Sequence, residues 1–400
     1  MRFSSTLKGK FTSTPVLRFA FGLLRNVRPI AVFGKNVFVT RYKDIAEVLV
    51  NENDFTVYEI DGYKIEALGN PFVLGMDASP ETTRDRNLLL EVIRREDLGN
   101  IRTYMRELAL RLIDDSTYTN KIQVVNEYAR LAAVKLVATY FGVPSEERDM
   151  MRWQRAIFFE SFVNLNNDPD VHARAVVAGK EITTHINQLI AERKNKRDQL
   201  EDNVLNRLIL AQKHHDWLDD RAILRNIMVI MGVVENISKV VTQVMDQLLK
   251  RPTELKEAII VATANDMEAM KNYCFEALRF NPHNPAILRY CKNGAVIGKG
   301  TRHERKVPAK TTIYAATLSA MFDPEVVKNP KKFDATRNVD YMHFGMGPHT
   351  CAGKYINGVV VPELVAALLR LPNIRRAEGK AGKIQYDELV FPDSLILQYN

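Results

Sequence analysis

A chain of 400 residues, 46% of them hydrophobic, can bury a large core without disulfides or a structural metal. Lys and Arg number 56 against 48 Asp and Glu, a net charge of +8. No nucleic-acid-binding motif accompanies that excess, so it is read as ordinary solubility or as a positive face for an acidic partner, not as a nucleic-acid surface. The three cysteines, Cys274, Cys291 and Cys351, give neither a disulfide framework nor a CxxC pair. A reducing compartment is expected, and a zinc or dithiol site is not.

Along the chain, the best apolar stretch of the N-terminus is short and is interrupted by Arg18 and Arg25. A membrane span needs roughly 20 apolar residues, and no convincing cleavage site follows. The protein is therefore expected to be cytoplasmic, without a membrane span. Residues 29–41 read as two short strands around Gly34-Lys35-Asn36, a hairpin signal, and 42–50 as a helix. Residues 54–80 lack a clean period and read as loop. Helices are expected near 81–95, 98–116, 122–142, 145–162 and 170–194, with a break at 164–170. An apolar run over 217–250 reads as one long helix ending before Pro252, and another helix ends before Pro282. Short strand-like pieces fill 285–316, a long loop 322–350, a helix 352–370 and short strands the tail. The expectation is a mainly α protein with a minor β component. No linker, repeat or low-complexity block divides it, so one large domain covers 1–400, with 1–27 as an N-terminal segment and 28–400 as the core.

The most informative stretch is Phe344-Gly345-Met346-Gly347-Pro348-His349-Thr350-Cys351-Ala352-Gly353, just before a helix. Glycines let the backbone take positive φ and approach a flat ligand closely. A cysteine at a helix N-terminus meets unpaired amides and the positive end of the helix dipole, which favour thiolate over thiol. A Cys near a Gly is usually a structural cysteine in a turn. Six fixed residues at this spacing, however, arise by chance in roughly one of a million such chains.

The loop resembles that of the cytochrome P450 family, Phe-Gly-x-Gly-x-His-x-Cys-x-Gly, at every fixed position. The resemblance implies the cytochrome P450 fold and haem b as cofactor, with Cys351 as proximal iron ligand. It also implies His349 on a haem propionate, Phe344 on the thiolate side, and Gly345 and Gly353 lining the loop. Glu276 and Arg279 lie three apart on one helix face, about 70 residues before the loop, and match the family's Glu-x-x-Arg pair. Arg337 is the candidate third partner. Arg289 and Arg86 stand at positions where relatives bind propionate; Thr82 replaces the histidine that usually accompanies the latter.

One segment departs from the family. Relatives carry Ala/Gly-Gly-x-Asp/Glu-Thr in the helix over the haem. This chain has Gly232, but Val234 at the acid position and Glu235 at the alcohol position, followed by Asn236 and Ser238. Either Glu235 or Ser238 replaces the proton relay, or no relay is needed because oxygen comes from a peroxide, with Asn236 donating its amide to it. A bland alternative has Glu235 and Asn236 facing helix neighbours. The leading expectation is a monooxygenase acting on a hydrophobic small molecule, with a ferredoxin or other reductase docking near Arg94, Arg95, Lys331, Lys332 and Lys354. The alternatives are a peroxygenase or fatty-acid hydroperoxide isomerase, and a non-catalytic haem sensor or carrier. The substrate pocket is expected from 54–80, Phe158, Phe159, Phe162, Gly232–Asn236 and Pro285–Leu288.

Overall fold

Gly34 takes a φ of 58° and closes the hairpin between Ile30–Phe33 and Asn36–Val39. The computed structural model describes residues 13–69, 72–114, 119–164, 167–196, 200–386 and 391–400. The second hairpin strand pairs in parallel with Thr311–Ala315, which runs antiparallel to Ile287–Cys291, and Phe55–Thr56 forms the far edge. Alternate residues of Thr311–Ala315 are buried, the period-2 pattern of a half-covered strand. This sheet carries Arg289 to the side of the helical body.

The body is helical, as expected, and two apolar helices cross inside it. The distal helix, Val233–Leu248, and the ligand helix, Lys354–Leu369, pack against each other and against Met267–Phe280. The ligand helix is apolar around most of its circumference, the pattern of a helix surrounded by protein. Its one buried acid, Glu363, accepts from Arg106 at 3.0 and 3.1 Å.

Several elements depart from the expected spans. The run over 217–250 is three pieces: helix Asp220–Ile227, a 3-10 segment Met228–Gly232, and the distal helix. By length and composition this run could cross a membrane, yet 72% of its most apolar window is buried inside the protein. The run does end before Pro252, at Leu248, but Pro252 also opens a helix that was not expected, Pro252–Thr263, whose first turn tolerates its missing N–H. The expected loop at 54–80 holds a π-helical turn Tyr58–Gly62, a short helix Tyr63–Ala67 and a 3-10 turn Val73–Gly75. The N-terminal segment is not separate from the core. Helix Thr14–Val27 buries Phe21, its Thr14 hydroxyl donates to Asn281, and Arg25 donates to Ser319 O and Oγ at 2.7 and 2.9 Å.

Candidate active site

The cysteine loop is held by its own backbone. Cys351 N–H donates to Phe344 O at 2.9 Å, and Lys354 N–H to Cys351 O at 3.1 Å, so the cysteine sits against the first turn of the ligand helix. Gly345 and Gly347 take φ of 69° and 70°, which L side chains rarely adopt. Gly347 packs so tightly that a Cβ there would meet Leu49 O and Val50 Cα at 2.9 Å. A Cβ on Gly353 would reach 3.6 Å from Cys351 Sγ. Burial raises the Cys351 thiol pKa, opposed by the Gly353 amide.

The loop opens onto a cavity of about 1720 Å³ lined by Cys351, His349, Arg289, Phe344, Gly345 and Gly353 together with the distal helix. The cationic wall fits a carboxylate-bearing planar group. Arg289 is 5% exposed, donates to Leu288 O at 2.8 Å, and has its pKa lowered to about 10 by burial. His349 donates through Nδ1 to Leu74 O at 3.1 Å, while its buried Nε2 has no hydrogen-bond partner and lies 3.6 Å from Glu52 Oε2. Burial and the Arg289 charge hold the imidazole pKa down at about 4. A buried guanidinium with no ion pair among the described residues gains from an incoming anionic oxygen. Among the described residues no three His, Cys, Asp or Glu side chains gather as a metal site. A single cysteine ligand would suit an iron whose remaining ligands come from a macrocycle.

Arg86 does not line the cavity. It lies 3.8 Å from Glu52, whose Oε2 is 3.6 Å from His349 Nε2, so it stands behind the histidine. Thr82 is buried and turned into its own helix start, its hydroxyl donating to Asp77 O at 2.7 Å.

The Glu276–Arg279–Arg337 cluster forms as the resemblance implied. Glu276 and Arg279 are fully buried and pair twice, at 2.7 and 2.8 Å. Arg337 lies 3.4 Å from Glu276, whose carboxylate also accepts from Tyr341 OH and Asp334 N–H.

The distal helix corrects one expectation. Glu235 is fully buried, but it faces away from the cavity. Arg130 and Arg155 each reach its Oε2 at 3.1 Å. Ser238 donates to Glu235 O and likewise stays outside the cavity. Neither is placed to relay protons. Gly232 and Asn236 do line the cavity, and a Cβ on Gly232 would fall 2.8 Å from Asn236 Nδ2. The buried Asn236 Oδ1 has no partner.

The expected lining by Phe158, Phe162 and Pro285–Leu288 is present; Phe159, Val234 and Glu235 lie outside it. The expected lining from 54–80 includes Asp61, whose carboxyl is pushed up to about 7 by burial, with Lys64 and Arg289 opposing. Lys239 was not expected there; it sits one turn beyond Asn236 in a run that reads as core.

This chain belongs to the cytochrome P450 family, whose model matches residues 32–371. Relatives by sequence include psi-producing oxygenase A of Emericella nidulans, 22% identical over 87% of this chain. The chain spans 36% of that protein's length. 6-Deoxyerythronolide B hydroxylase of Saccharopolyspora erythraea is 24% identical, over 83% of this chain and 78% of its own. In structure the chain resembles P450BioI, solved in complex with hexadec-9Z-enoic acid ligated acyl carrier protein, at a TM-score of 0.83, with 19% identity and 98% and 100% of the two chains covered.

Proposed function

We propose that this protein transfers one oxygen atom from a peroxide to a hydrophobic small molecule. The observation that carries this reading is the cavity face of the distal helix. Between Gly232 and Gln243 it presents Asn236 and no carboxyl or hydroxyl group. Splitting O2 requires protons at that face; a peroxide brings its own O–H. Iron protoporphyrin IX (haem b), when bound, supplies the oxygen-transfer chemistry, and thiolate ligation favours O–O cleavage.

The chain's residues then have defined tasks. Cys351 supplies the thiolate. Arg289 would hold a propionate, with His349 on the same wall, and Gly345 and Gly353 let the loop lie close to the ring. Gly232 leaves room beside Asn236, whose amide donates to a peroxide oxygen. The mostly apolar walls exclude water and bind the substrate's carbon body. One peroxide oxygen enters a substrate C–H bond as a hydroxyl, and the other leaves with the O–H proton as water or an alcohol. The names of the relatives, an oxygenase and a hydroxylase, support oxygen insertion.

A second reading, O2-dependent monooxygenation with a ferredoxin, is favoured by the basic residues around the ligand helix. Arg95 stacks on Tyr355 at 3.9 Å, beside Lys354, and Arg94, Lys331 and Lys332 are exposed. The test is turnover of purified haem-loaded protein with hydrogen peroxide or a fatty-acid hydroperoxide and no reductase. Product should form. Asn236→Ala should lower the rate roughly tenfold or more, the loss of one hydrogen bond to the reacting group, and Glu235→Gln should not change product formed per peroxide. Product formation only with reduced ferredoxin and O2 would establish the second reading instead.

A further inference from the structure

Among the described residues, one cation of the distal helix has nothing to pair with. Lys239 is 5% exposed and lines the cavity. Its Nζ lies 4.3 Å from the centre of the Phe391 ring, and among the described residues no carboxylate or hydrogen-bond acceptor meets it. The acids on the same helix are already engaged. Glu235 is held by Arg130 and Arg155 on the opposite face, and Asp246 by Lys250 and Arg376. Burial alone pulls the Lys239 pKa down to about 7.

A second polar atom waits beside it. His283 Nε2 is buried without a partner, and the Lys239 charge adds to the burial that holds this imidazole neutral. Phe158 and Phe391 frame the pair, with ring centres 6.3 and 5.6 Å from that of His283. Phe158 also lies 3.4 Å from the position a Cβ on Gly232 would take. The two unsatisfied groups therefore share a wall with the Gly232–Asn236 turn.

A buried ammonium with no partner is strongly unfavourable, and packing alone would be served better by leucine or methionine. An anionic group entering the cavity satisfies the ammonium. The neighbouring walls, Val233, Ile237, Val240 and Phe162, are apolar. We infer that Lys239, with His283 beside it, binds the carboxylate of an amphipathic carboxylic acid of the fatty-acid kind, whose carbon chain occupies the apolar cavity. This names a substrate class for the oxygenase proposed above and rests on that reading only in taking the cavity as the substrate site.

Isothermal titration calorimetry of the holoenzyme with dodecanoic acid and with dodecan-1-ol tests it. The wild type should bind the acid at least tenfold more tightly than the alcohol, the scale of a charge-assisted hydrogen bond. Lys239→Met should remove the preference, and Lys239→Arg should restore most of it. Equal binding of the two ligands, failure of the acid to bind wild type, or a preference that survives Lys239→Met would overturn the inference. The reduced CO complex of the same preparations separates the two proposals. A thiolate-type spectrum with no acid preference counts against the Lys239 assignment alone, whereas loss of that spectrum counts against the oxygenase.

Discussion

The Glu276 carboxylate accepts from Arg279, Arg337, Tyr341 and the Asp334 amide, while Arg279 donates to Met321 O, Pro330 O and Lys332 O. One buried ion pair thus ties the helix Met267–Phe280 to the loop that leads into the cysteine. Removing either partner strands a buried charge, at a cost of about 3–5 kcal/mol. Glu276→Ala and Arg279→Ala should each give little haem-loaded protein, read as haem content per milligram; normal content in both would refute the structural role. This cluster was legible only from its likeness to the family motif and its place about 70 residues before the cysteine loop, since a pair three residues apart is common on solvated helices. Glu235 was misread because its partners come from 105 and 80 residues upstream, so spacing along the distal helix held no sign of them. Cys351 and His349 were legible because six residues of one short loop must keep their spacing together. Lys239 was not, because a single lysine in an apolar run looks like any other helix residue until the missing partner is seen.

At the level of elements, the cysteine loop works because glycine stands where the backbone needs positive φ and close approach. Gly347→Ala would place a Cβ 2.9 Å from Leu49 O and Val50 Cα at a φ of 70°. Such strain costs about 1–3 kcal/mol, so the denaturation midpoint should fall and haem retention with it. Gly358, inside the ligand helix, is the control. A Cβ there meets only Lys271 Cδ at 3.7 Å, and Gly358→Ala should stabilise by about 0.4–1 kcal/mol. A midpoint that moves the same way in both variants would contradict the loop argument. The sequence reading of elements failed where one residue type serves two purposes. Pro252 both bars a helix interior and suits a first turn, so a stop signal concealed the helix Pro252–Thr263. The 3-10 segment before Gly232 has the same apolar content as the helices around it, and periodicity alone cannot separate them.

For the whole molecule, the helical body with a small sheet at its side was legible from texture, because long amphipathic helices carry a strong signal. The docking of helix Thr14–Val27 was not, since it depends on Asn281 and Ser319, far along the chain. The net charge of +8 and the basic residues near the ligand helix bear on electron supply. If an acidic ferredoxin reduces this protein, the rate of reduction should fall as salt rises from low to physiological strength, because exposed pairs are screened beyond about 8 Å at 0.15 M. Rates indifferent to ionic strength would argue against that face as the docking site. All of these statements depend on Cys351 holding the iron. The most direct measurement is the absorbance spectrum of the reduced CO complex for wild type and Cys351→Ser. Wild type should show the thiolate-type band and the variant should lose it while Glu276 and Arg279 remain intact. An unchanged band in Cys351→Ser would contradict the account.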